Sequence, residues 1–116
     1  MSGTFRRHGG PPYIFAVLHG GPGAAGEVAS VARKLSEYTG VLEPLQTALS
    51  VDGQVEELRG VLATAAEGPV HIVGHSWGAW LGCLLGARHP ELVASLDRLE
   101  ALGDDYYDVV PAAEFP

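Results

Sequence analysis

The sequence predicts a three-layer α/β domain on a parallel sheet, and three observations carry that prediction. Short apolar runs alternate with stretches of helical period, the pattern of strands joined by crossover helices. The runs Pro12–Leu18 (PYIFAVL) and Val70–Val73 (VHIV) are apolar almost throughout, as strands covered on both faces are. Each is followed at once by a glycine-rich loop, His19–Gly23 after the first and Gly74–Gly78 after the last.

At 116 residues the chain has room for one domain, and 47% apolar residues suffice for a core. Seven Lys and Arg against fourteen Asp and Glu give a net charge of −7 and no basic stripe, which argues against a nucleic-acid partner. Cys83 is the only cysteine, so no intramolecular disulfide can form and cysteine-based metal clusters are absent. No apolar run approaches the ~20 residues of a membrane span, so no membrane partner is expected. Met1–Gly10 holds Arg6 and Arg7 but lacks the apolar stretch of a signal peptide. A cytoplasmic protein without metal or cofactor is the expectation.

Along the chain, residues 1–11 are polar and Gly-rich and read as a loose leader. Residues 12–96 carry the core. After the first strand and its loop, Val28, Val31, Ala32 and Leu35 fall at helical spacing, until Gly40 opens a second strand, Val41–Leu45. Ser50 is placed to cap the next helix, with Val51, Val55, Leu58, Leu62 and Ala65 as its buried face. Gly68-Pro69 ends that helix, VHIV is the third strand, and a helix to His89-Pro90 follows. Gly78, Gly82 and Gly86 stand four apart on its one face, which predicts close packing on the sheet. Residues 97–116 read as a short helix and an acidic tail, the helix from Leu96, Leu99 and Leu102 at helical spacing before Gly103. Six acids against Arg98 place most of the net charge in these last twenty residues.

Gly74, Ser76 and Gly78 match G-x-S-x-G, the pattern of a nucleophile elbow. A serine on a sharp strand-to-helix turn projects its hydroxyl upward, and flanking glycines remove side chains that would strike the neighbouring strand and helix. Alone the pattern is short, and its context gives it weight: VHIV before it reads as strand, Ala79–Arg88 after it as helix. The His19–Gly23 loop lets backbone N–H groups approach a carbonyl oxygen, and acyl transfer needs two such donors. Gly20 or Gly21 would supply one, and Trp77 the other. Right-handed crossovers put the first strand between the second and third, so both loops emerge at one switch point.

HGGPG and GHSWG, with LEPLQTALSVDGQVEELRGVL between and ARHPELVASL after, resemble the α/β-hydrolase superfamily, nearest its proline iminopeptidase branch. The likeness runs from Pro12 to Leu96, about three-quarters of the chain. It implies a truncated hydrolase fold of three or so parallel strands, and a serine hydrolase of iminopeptidase or esterase type acting on a small ester or peptide. By resemblance Ser76 matches the nucleophile, with the amides of Gly21 and Trp77 as the oxyanion hole. His19, Gly20 and His75 would shape the substrate site, His19 by bracing the glycine loop.

The family places its acid and histidine after the serine. Here the only histidine after Ser76 is His89, thirteen residues on and about 20 Å along a helix, too far to act as base. A base would come from another chain or from His8 of the leader. The competing expectation is a non-catalytic module that keeps the cradle and serves binding or assembly. His71 reads as structural, Trp80 as pocket or core alike, and Cys83 as buried filler. With nothing to cover the second and third strands, both edges would be open, which predicts a homo-oligomer or a complementary hydrolase half as partner.

Overall fold

A computed structural model of the chain describes residues 4–21 and 24–99. Five strands form one sheet in the order β1-β3-β2-β4-β5. The central three are β2 (Tyr13–Leu18), β3 (Gly40–Leu45) and β4 (Val70–His75), all parallel. Their order, with β2 in the middle, is the one the crossover argument predicts.

Helices lie on both faces. α1 (Ala29–Leu35) packs Val31, Ala32 and Leu35 against Val17, Val41 and Val73 on one side. α2 (Val51–Ala65) and α3 (Trp77–Arg88) cover the other, where Leu58, Leu62, Leu81 and Leu85 meet Leu18, Leu42 and Ile72. Successive strand residues point to opposite faces, so a strand apolar on both builds two cores at once. Ser50 caps α2 by accepting from the Gly53 N–H at 2.9 Å. Val51 is exposed and Val61 takes its place in the buried face, since a first-turn residue rides above the sheet.

The glycine row of α3 works by close approach. A Cβ on Gly78 would collide with the Leu18 carbonyl oxygen, and one on Gly82 would lie 2.8 Å from Leu96 Cδ1. At Gly86 the nearest neighbour is 3.9 Å away, so the tight contact is confined to the end near the elbow.

Two segments differ from expectation. The leader contains β1 (Thr4–His8), which runs antiparallel beside β3. Glu43 of β3 is fully buried, and His8 Nε2 meets its Oε1 at 2.8 Å with Arg6 Nη1 at 3.8 Å. A buried carboxylate needs such partners, and β1 supplies them while Phe5 packs on the core. At the other edge, Val93–Leu99 is not the start of a helix but β5, parallel to β4. Leu96 and Leu99 fit helical spacing, yet pairing along β4 overrides that local preference. Leu102 and Gly103 lie outside the described residues, as does the acidic tail.

The edges expected to be open are therefore covered, β3 by β1 and β4 by β5. The argument for oligomers from those two edges falls with them. Among the described residues, no helix is long and apolar enough to cross a membrane, and no group of three His, Cys, Asp or Glu could hold a metal ion.

Candidate active site

At the end of β4 the chain reverses into α3 through Ser76, which has φ 54° and ψ −118°. It is the only non-glycine residue with positive φ among the described residues. Such a conformation costs about 1–3 kcal/mol and persists only where the surroundings impose it. Gly74 and Gly78 allow it: a Cβ on Gly74 would sit 2.5 Å from the Ala79 nitrogen. The result is an exposed Ser76 at the start of a helix.

The loop after β2 meets this turn as expected. A Cβ placed on Gly20 would lie 3.3 Å from Ser76 Cβ and 3.4 Å from His75 Nδ1. His19 is 1% exposed and braces the loop. The Gln46 N–H donates to its Nε2 at 2.9 Å, so the ring proton sits on Nδ1, which donates to the Gly20 carbonyl at 2.7 Å. Gln46 Nε2 donates in turn to the His19 carbonyl at 2.8 Å.

The Gly20 N–H is not free for substrate. It donates to Glu27 Oε1 at 2.6 Å, and His75 Nδ1 donates to the same oxygen at 2.8 Å. Burial pushes the Glu27 carboxyl up, but the hydrogen bonds from His75 and Gly20 and the nearby His75 and His19 outweigh it. The net position is below the ordinary 4.5. Of the two glycines, Gly21 keeps an uncommitted N–H. Trp77, first residue of α3, presents an N–H with no partner within its own helix. Its indole Nε1 donates to Gln54 Oε1 at 2.6 Å, which ties the elbow to α2.

A cavity of about 410 Å³ opens beside the serine, lined by Ser76, Ala79, Trp80, Cys83, Leu96 and Arg98. Trp80 is 69% exposed and Cys83 is exposed. The buried role expected for Cys83 is overturned, because that face of α3 turns away from the sheet. A larger cavity, about 570 Å³, is lined by Thr47, Glu56, Glu57 and other polar residues of α2 and the loop after β3. It lies away from the elbow, and the chemistry favours the smaller one.

No histidine is bonded to Ser76. His8 is paired with Glu43 in the register row of Val41. That row lies about 15 Å along the strands from the elbow, at 3.3 Å per residue, so His8 is not the base. His71 bonds Ser95 Oγ at 2.8 Å and stacks on Phe15, a structural role as expected. His89 ends α3 at the far end from Ser76. Glu27, Gln46 and Gln54 escaped the sequence reading: Glu27 and Gln46 lie in loops and Gln54 in the first turn of α2, none within a motif, and only the fold brings them to the site.

Three features together, a mostly parallel sheet with helices on both faces, a strained serine elbow and a glycine loop at the switch point, define the α/β-hydrolase fold. Solved structures agree. The chain is similar to a membrane phospholipase A described as a bacterial virulence factor, at 26% identity and TM-score 0.69 over 81% of this chain and 34% of that one. It is similar to an epoxide hydrolase from Vigna radiata, at 21% identity and TM-score 0.67 over 78% and 34%. A meta-cleavage product hydrolase from Pseudomonas fluorescens matches at 23% and 0.67 over 77% and 38%. The chain thus spans about a third of these hydrolases' length. No protein-family model and no curated protein matches the sequence. What these likenesses show of this chain is the α/β-hydrolase fold.

Proposed function

We propose that this chain carries the nucleophile and oxyanion half of a serine hydrolase of esterase or iminopeptidase type. The observation behind the reading is the exposed Ser76 at φ 54°, held against the Gly20 loop. Ser76 Oγ attacks the carbonyl carbon of an ester or amide, and its proton passes to a base. The oxyanion that forms is met by the N–H groups of Trp77 and Gly21, in the arrangement where such donors contribute most. Collapse expels the alcohol or amine, which takes up the proton, and water then releases the acyl group.

The acid and base come from polypeptide beyond the described residues, packed against β5 and the exposed Trp80 and Cys83. A complementary hydrolase half or a second copy of the chain is one source of that polypeptide. The length ratio to the similar hydrolases supports that arrangement. A second reading, a non-catalytic binding or assembly module, draws on one observation: His8, His19 and His71 are each committed to a structural bond.

A fluorophosphonate probe separates the two. The expected result is phosphonylation of Ser76 that quickens between pH 7 and 10, where hydroxide substitutes for the absent base. Ser76→Ala serves as the blank. No labelling at large probe excess, at any pH in that range, means the module.

A further inference from the structure

Glu27 stands seven residues after Gly20, outside either glycine motif, yet one oxygen of its carboxylate meets both motifs. Oε1 accepts the Gly20 N–H at 2.6 Å from the oxyanion loop and the His75 Nδ1–H at 2.8 Å from the elbow. The Gly20 peptide is therefore gripped on both sides, at N–H by Glu27 and at C=O by the buried His19. The Gly21 N–H shares a planar peptide with the Gly20 carbonyl that His19 holds, so it points the opposite way, and a Cβ on Gly21 would meet open space. Space around Gly20 is equally specific: a Cβ there would lie 2.7 Å from Glu27 Oε1 and 3.3 Å from Ser76 Cβ. No other described contact joins the side chains of the loop after β2 to the elbow through one atom.

We propose that Glu27 is the positioning residue of the oxyanion hole: it clamps the Gly20 loop to the elbow through His75, so that Gly21, not Gly20, supplies the loop donor. The inference rests on the hydrolase reading, since it concerns where that reading's second N–H is aimed. It assigns Glu27 no contact with substrate. Its effect travels through the loop, and a displacement of about 1 Å in such a donor costs about 10²-fold in rate. Burial of the Glu27 carboxyl is opposed by the hydrogen bonds from His75 and Gly20, and the titratable groups facing it are His75 and His19.

The test uses ¹⁵N-labelled chain with Glu27→Gln and Glu27→Ala, together with Ser76 phosphonylation. In the wild type, the Gly20 amide resonance should move as Glu27 titrates below pH 4.5, and Glu27→Gln should remove that titration while keeping the fold. In Glu27→Ala, hydrogen exchange at Gly20 should quicken about 10- to 100-fold, as loss of a hydrogen bond to a charged group implies. The amide of Val17, in the core beneath, should not change. Labelling of Ser76 should slow about 10²-fold in Glu27→Ala, with partial recovery in Glu27→Gln. A Gly20 amide indifferent to pH and to both variants overturns the proposal. So does an unchanged labelling rate with the clamp demonstrably lost. If the wild type takes no label, the hydrolase reading fails, and the Gly20 and Gly21 amides decide the clamp: both shift in Glu27→Ala, or it is refuted.

Discussion

The two sides of Ser76 are built differently. Toward α1, His19, Gln46, Gly20, Glu27 and His75 form a continuous hydrogen-bonded chain, in which Gln46 Oε1 is buried without a partner. Toward α3 and β5, the serine faces Trp80, Cys83 and Leu96, with Trp80 69% and Leu96 37% exposed. A satisfied polar network is rigid and intolerant of loss, whereas exposed apolar groups contribute little until something covers them. Among the described residues, the α1 side of Ser76 is thus built from hydrogen bonds and the α3–β5 side from uncovered apolar groups.

The largest expected effect is chemical. Ser76→Ala should remove Ser76 labelling and at least 10³-fold of any esterase rate, though oxyanion hole and binding alone still give about 10³–10⁴ over water. The fold should survive, and Ser76→Gly should melt higher than wild type, because glycine relieves strain of about 1–3 kcal/mol at φ 54°. A lower melting point for Ser76→Gly would show that the turn is not strained. Gly78→Val drives a side chain into the Leu18 carbonyl and should cost about 3 kcal/mol or leave the chain unfolded in a urea titration.

Smaller effects sharpen the contrast between the two sides. His19→Ala strands the Gln46 N–H and the Gly20 carbonyl and should cost about 2–3 kcal/mol. Trp80→Ala, on the open side, should stay within about 0.5 kcal/mol in the chain alone. Equal costs for the two would erase the distinction. Acid titration adds a gentler probe. The Glu27 carboxyl is held below 4.5 in the folded state, so its contribution is complete above that pH and is lost as pH falls through the lowered value. Glu27→Gln should flatten that part of the stability curve below pH 4.5, and an unchanged acid limb would contradict the lowered carboxyl.

The central strands, their order and the meeting of HGGPG with GHSWG were legible in the sequence, because each depends on local pattern. Apolar runs mark strands, glycine marks where backbone must approach backbone, and crossovers restrict the order. The substitution of β5 for a helix at Leu96–Leu99 was not legible, since the spacing fits both and only β4 decides between them. Nor was β1, whose TFRRH has no strand signature until the buried Glu43 gives Arg6 and His8 a partner.

What the sequence by itself determined is therefore the covalent logic of the site: a serine between two glycines after a buried strand, and a glycine loop after its neighbour. What only the tertiary structure decided is who holds that loop and which N–H remains free. Glu27 and Gln46 reach His75, Gly20 and His19 across 48, 7 and 27 residues of chain, through bonds to single atoms. Periodicity and motif report on neighbours in sequence, while a hydrogen bond depends on distance and direction in space, and those exist only once the sheet has assembled.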